Sequence, residues 1–292
     1  MKTWSELEQV LPAATRHAWE TLKRVLPPSA YLVGGTAIAV HLGHRESRDL
    51  DFFVSDDTDL RPLNATLSSR MAWRAEQSAE DTLNGYLARV KVQLLRASDQ
   101  HPLETPTVLN GVPVAGLGDL MATKLRAVTA RGELRDYFDI MELERSADLY
   151  VEEGIGLYLR RYRPSNEEAA AETIVRALGS FSDVADDPGL PLSRAEIEGY
   201  WTRRQPGLQR ALSRFGSTPG PLDEDDPIFR LIEPPTPATT AGVGDRRKTG
   251  RSARPGETAL IRCPYRTRSG RRCLVRLRPG STCPAHRWTA PL

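Results

Sequence analysis

The chain has 292 residues, 27% of them charged, and a formal net charge of +2. That length suits one large or two modest domains. No apolar run reaches membrane-spanning length and no signal-peptide pattern opens the chain, so a soluble, cytoplasmic protein without a membrane partner is expected.

Ser5 to Leu26 reads as helical, broken or kinked at Pro12 and stopped by Pro27-Pro28. Ala30 to Val33 is predicted as the first strand, Thr36 to Leu42 as a short helix, and Leu50 to Val54 as the second strand. Leu63 to Met71 is predicted helical, with strands over Trp73 to Gln77 and Tyr86 to Leu95. Within the last of these, Val90, Val92 and Leu94 fall on one face, as in a half-buried strand. Helices are predicted for Leu117 to about Arg131, Glu133 to Ala147, Val151 to Tyr162, Glu167 to Leu178 and Ser193 to Phe215. Short strands followed by helices argue for an α/β half and then a helical half. Residues 219–256 are rich in Pro, Gly, Thr and charge, lack apolar periodicity and read as a disordered linker.

Residues 32–54, LVGGTAIAVHLGHRESRDLDFFV, carry the densest chemistry. Side chains alternate along a strand, so Asp49 and Asp51 share one face. Neighbouring carboxylates raise each other's pKa unless a cation lies between them. Such a pair suits Mg²⁺, which binds through one or two carboxylates plus substrate phosphates. Gly34-Gly35-Thr36 opens a helix, where backbone N–H groups can point at an anion. Together these elements suggest a nucleoside triphosphate (NTP) site. Arg45 suits either a phosphate or a structural carboxylate. Ser47, two residues before Asp49, suits a nucleotide or metal contact or a modification site, although a turn serine is the simpler reading. His41, among Ala39, Val40 and Leu42, is expected to pack.

The run GGTAIAVHLGHRESRDLDFF resembles the first motif of the nucleotidyltransferase superfamily, and within it the AbiEii/AbiGii toxins of type IV toxin–antitoxin systems. The resemblance resumes in GLGDLMATKLRAVTARGELRDYFDI and covers roughly residues 28–145. It implies a nucleotidyltransferase-type mixed sheet and catalytic roles for Asp49, Asp51, Lys124 and Asp136. It also implies nucleotide contacts from Gly34, Gly35, Thr36, Arg45, Ser47 and Asp139. Lys124 would touch the triphosphate as a point charge on a long stem. Its replacement by Ala would then weaken NTP binding without unfolding a helix that tolerates Ala. Many superfamily members carry a third carboxylate on a later strand. Here that strand offers Lys91 and Gln93, so Asp136 or Asp139 would have to supply the missing charge. Those two lie at i and i+3, on one face of a helix, where N-terminal dipole complementation is the plainer explanation.

The near-neutral total charge hides an asymmetry. Residues 245–292 hold 13 of the 40 Lys and Arg residues but only two of the 38 acids, Asp245 and Glu257. The first 244 residues therefore hold 27 bases against 36 acids, an acidic body of −9 before a tail of +11. A basic terminal segment favours nucleic acid or another acidic partner. All three cysteines lie there, and Cys263, Cys273, Cys283 and His286 supply the ligand count of a structural Zn²⁺ site. The text around them is similar to a small zinc-knuckle module, with Tyr265 and Trp288 placed to stack on bases.

The expected organisation is a catalytic core over 1–145, a helical part over 146–218, the linker, and a basic zinc module over 257–292. The expected activity is transfer of NMP from NTP, with Mg²⁺, to an acceptor such as the 3′ end of tRNA, by a toxin with a cognate antitoxin. The alternative is a degenerate transferase fold acting as a nucleic-acid adaptor through its zinc tail.

Overall fold

The computed structural model describes residues 3–98 and 100–213, and two short strands, Ile261–Arg262 and Arg276–Leu277. The chain divides into two compact units, Met1–Ser217 and Thr218–Leu292. In the second unit the two short strands pair antiparallel, Ile261 opposite Leu277. The proposed zinc ligands Cys263, Cys273, Cys283 and His286, and the linker, lie outside the described residues.

The first unit is built on a seven-stranded mixed sheet. In chain order its strands are β1 (Tyr31–Val33), β2 (Leu50–Val54), β3 (Trp73–Ser78), β4 (Thr82–Leu87), β5 (Val90–Arg96), β6 (Thr107–Leu109) and β7 (Val112–Val114). Their spatial order is β3-β4-β5-β2-β1-β7-β6. At the centre, β2 runs antiparallel to β1 and parallel to β5. Alternation works as expected on β2: Leu50, Phe52 and Val54 are buried, while Asp51 and Phe53 take the other face.

The predicted strand over Tyr86 to Leu95 is instead the turn and halves of a hairpin, β4–β5. Ala88, at φ 55°, makes the reversal. A non-Gly residue in that region is uncommon, so an apolar run with no turn residue hid the hairpin. The β6–β7 hairpin, turning at Asn110-Gly111, was not predicted. Its strands are three residues each, too short to show a period of two.

The helices are α1 (Ala13–Leu22), α2 (Gly34–Leu42), α3 (Arg61–Arg70), α4 (Leu117–Ala130), α5 (Leu134–Ala147), α6 (Val151–Tyr162), α7 (Glu167–Ala177) and α8 (Arg194–Ser213). A 3₁₀ turn over Trp4–Gln9 precedes them, separated from α1 at Pro12. Helices α6, α7 and α8 are in contact with α4 and α5, within the first unit. Trp201 of α8 is fully buried, and its Nε1 donates to the Tyr137 carbonyl of α5 at 3.2 Å. The Tyr137 hydroxyl in turn donates to the carbonyls of Ala177, at the end of α7, and Ser180, just beyond it. On the other side of α4, buried Arg161 of α6 pairs with Asp119 and reaches Gln100 Oε1 at 3.0 Å and the Tyr31 hydroxyl at 3.3 Å. Asp119 also accepts from the Leu103 and Glu104 amides, so no oxygen of this buried carboxylate is left without a donor. These contacts hold α4 and α5 in place against α2.

Candidate active site

The site forms where β1 ends, α2 begins and β2 returns. Val33 is extended and Gly34, at φ 70°, turns the chain into α2. A Cβ on Gly34 would lie 2.6 Å from Asp51 Oδ2, so only glycine lets this turn meet the carboxylate. A Cβ on Gly35 would collide with the Arg45 guanidinium, and Asp139 Oδ2 lies 3.4 Å away. The two glycines therefore meet different groups, one the acidic pair and the other a buried ion cluster.

Asp51 is half-buried on β2, with Asp49 on the segment just before it. Burial, then the neighbouring Asp49, pushes the Asp51 carboxyl above its ordinary value. Lys124, Arg131 and Arg135 pull the other way. Neither Asp49 nor Asp51 forms an ion pair within 4 Å among the described residues. Across β2, Asp51 is opposite Gln93 of β5, which is opposite Asn84 of β4. The strand position opposite Asp51 is thus a neutral amide, and the described residues contain no group of three or more His, Cys, Asp or Glu able to hold a metal.

The segment carrying the pair is clamped from three sides. Thr36 Oγ1 donates to the Asp49 carbonyl and lies 2.7 Å from Ser47 Oγ. The Ser47 amide donates to the Val10 carbonyl at 2.9 Å, and Thr15 Oγ1 to the Arg48 carbonyl at 3.0 Å. The expected phosphate-facing hydroxyl of Thr36 is therefore turned to the backbone of Asp49. Ser47 is buried. Both fix where the Asp49 backbone sits. Thr36→Val should leave the Asp49 carbonyl and Ser47 hydroxyl short of a partner and cost about 1–3 kcal/mol. Urea unfolding checks this; an unchanged midpoint would refute the clamp.

Beneath the acidic pair lies a buried ion cluster. Lys124 Nζ is 2.7 Å from Asp136 Oδ1 and 2.7 Å from Asp139 Oδ2. Arg45 holds Asp139 in a fork, Nε to Oδ1 at 2.7 Å and Nη2 to Oδ2 at 3.0 Å. His44 Nε2 adds a contact to Asp139 Oδ1 at 2.8 Å, with its ring stacked on Phe138. Arg131 Nε reaches Asp136 Oδ2 at 3.3 Å from the surface. Both acid side chains are fully buried and that of Lys124 is 7% exposed. Burial alone would raise Asp139 and Asp136, yet Lys124 foremost, with Arg45 for Asp139 and Arg131 for Asp136, holds both below the ordinary value. Burial would likewise lower Lys124, but Asp139 and Asp136 hold it above its own.

The structure brings several of the expected site residues into one cluster. Lys124 is the shared countercharge of two buried acids. Asp136 and Asp139 point at Lys124, Arg45 and Arg131. Arg45 takes the structural alternative. His41 packs as expected and bonds the Ala115 carbonyl at 2.8 Å; burial depresses its pKa. Arg131 was missed, because an Arg at a helix end followed by Gly reads as a C-terminal signal.

A Gly-Gly turn into a helix thus faces Asp51 on the adjacent strand and the clamped segment of Asp49 just before it. Residues 20–221 match the family described as nucleotidyl transferase AbiEii toxin, type IV TA system. That match spans more than half of the chain, so the protein belongs to this family and is a nucleotidyltransferase. It is 28% identical, over 192 residues, to the uncharacterized protein aq_aa25 of Aquifex aeolicus, covering 63% of this chain and 87% of that one. A solution structure of the antibiotic-resistance factor ANT(2'')-Ia aligns with 70% of this chain and 98% of its own, at 14% identity and a TM-score of only 0.31.

Proposed function

We propose that the chain transfers NMP from an NTP to the 3′ end of an RNA, with tRNA the leading candidate, as a toxin held in check by a cognate antitoxin. The observation that carries the chemistry is the juxtaposition of Asp51, raised by burial and by Asp49, with the turn at Gly34. Two carboxylates without an ion-pair partner fit Mg²⁺, which needs only one or two from the protein when the substrate brings phosphates. Asp49 and Asp51 would hold it. The ion would supply countercharge to the triphosphate and to the attacking hydroxyl. The amides at the start of α2 favour an anion there, through both their N–H groups and the helix dipole. The buried Lys124–Asp136–Asp139–Arg45 cluster fixes α4 and α5 against the turn, so the acidic pair meets substrate in one geometry.

The basic tail, with Cys263, Cys273, Cys283 and His286 holding Zn²⁺, would recruit the RNA, largely by releasing counterions. The test is incubation of the full chain with each α-³²P-labelled NTP, Mg²⁺ and total RNA. Label in a small RNA species with one preferred NTP is the expected result. No label in RNA with any of the four would overturn the reading.

A further inference from the structure

We infer that Arg131, at the elbow between α4 and α5, is the side chain that grips the triphosphate of the incoming nucleotide. This rests on the proposed activity and names a contact within it. A cation serving that role must face the acidic pair, reach solvent, and be able to leave its resting partner. Lys124 meets only the first requirement. Its Nζ is shared between two fully buried acids, and withdrawing it would cost both their closest shared countercharge, leaving Asp136 with Arg131 alone.

Arg131 meets all three. It caps the C-terminal end of α4, immediately before Gly132 at φ 60°. Its side chain is 55% exposed. Its contacts are long: Nε to Asp136 Oδ2 at 3.3 Å and to Glu133 Oε1 at 3.5 Å. Both run through Nε, so the outer edge of the guanidinium is not spent on them. Its partner Asp136 shares Lys124 with Asp139, whose Oδ2 lies 3.4 Å from where a Cβ on Gly35 would stand, so Arg131 is on the rim of the cluster that abuts the glycine turn; its charge also helps to lower the Asp51 carboxyl. Asp136 keeps Lys124 at 2.7 Å, so a swing of Arg131 toward a ligand would not strand it. The planar fork of an arginine also matches phosphate oxygens two at a time, which a lysine cannot do. Arg135 is the other cation near Asp51, but it is paired closely with Glu133 through both Nε and Nη2.

The test is calorimetric binding of ATP, GTP, CTP, UTP and inorganic tripolyphosphate, in Mg²⁺, to the full chain and to Arg131→Ala and Arg131→Lys. The best-bound NTP and tripolyphosphate should each bind Arg131→Ala at least tenfold more weakly, while the matching NMP binds as before. Arg131→Lys should recover part of the loss. Should Arg131→Ala fail to fold, Arg131→Lys alone must still weaken tripolyphosphate severalfold. Equal polyphosphate affinities across the three proteins would overturn the assignment, as would a wild-type chain that binds no polyphosphate. Arg131-dependent polyphosphate binding without transfer to RNA would leave the assignment standing and remove the proposed activity.

Discussion

Lys124→Ala is expected to behave as a folding mutant, not as a binding mutant. The substitution is harmless to the helix itself, since Ala is the best helix former. What it removes is the one charge lying 2.7 Å from both Asp136 and Asp139. Breaking a buried pair by deleting one partner costs about 3–5 kcal/mol, against a total of about 5–15 kcal/mol for a typical domain. Arg45 and Arg131 each retain one of the acids, which limits the damage. The pH dependence has a definite sign. Asp136 and Asp139 are held below the ordinary 3.8, so their contribution is present above that value and is lost as pH falls through their depressed values. Lys124 is held above the ordinary 10.5, so its contribution is complete below that value and is lost as pH rises through the higher one. The gap between wild type and Lys124→Ala should therefore be flat across neutral pH and close in strong acid, where both carboxyls take up protons. Urea titrations at several pH values measure it. A cost below about 1 kcal/mol at neutral pH, the scale of a surface pair, would refute the structural role.

Asp51→Asn should have opposite effects on stability and activity. Label transfer should fall to background, because the carboxylate facing the Gly34 turn is gone. The metal-free protein should melt at a higher temperature than wild type. Asp51 has a raised pKa in the folded state, chiefly from burial and then from Asp49. A raised carboxyl opposes ionisation, so the folded state loses stability as pH rises through the ordinary value and up to the raised one. At neutral pH the ionised group is a burden, and a neutral amide of the same shape relieves it. Adding Mg²⁺ with NTP should raise the melting temperature of wild type and leave that of Asp51→Asn unchanged. Transfer activity retained in Asp51→Asn would sink the metal assignment. A lower melting point for the metal-free variant would sink the electrostatic argument alone.

The residues that announced themselves in the sequence were those whose surroundings are local. Strand β2 and helix α6 begin and end where periodicity and flanking residues placed them, and Asp51 falls on the face that alternation gives it. The single strand expected over Tyr86 to Leu95 failed because Ala88 adopts a conformation that its type does not signal. The contacts of Thr36, Ser47 and Lys124 were hidden for another reason. Each meets a partner brought in from elsewhere: Val10 against Ser47, Asp49 against Thr36, and Asp139 against both Arg45 and Lys124. A lone Lys in an apolar helix gives no hint that two acids from the next helix will meet it.

The shared lysine also matters for genetics. In a selection for variants that have lost activity, changes at Lys124 and at Asp51 would be recovered side by side and would look equally like damage to the reaction. They would differ in the amount of protein left in the cell. Loss of Lys124 should deplete the chain by exposing it to proteolysis, while loss of Asp51 should leave an inert, abundant protein. Immunoblots of the survivors would therefore sort the two classes before any enzyme was purified, and only the abundant class would map the reacting centre.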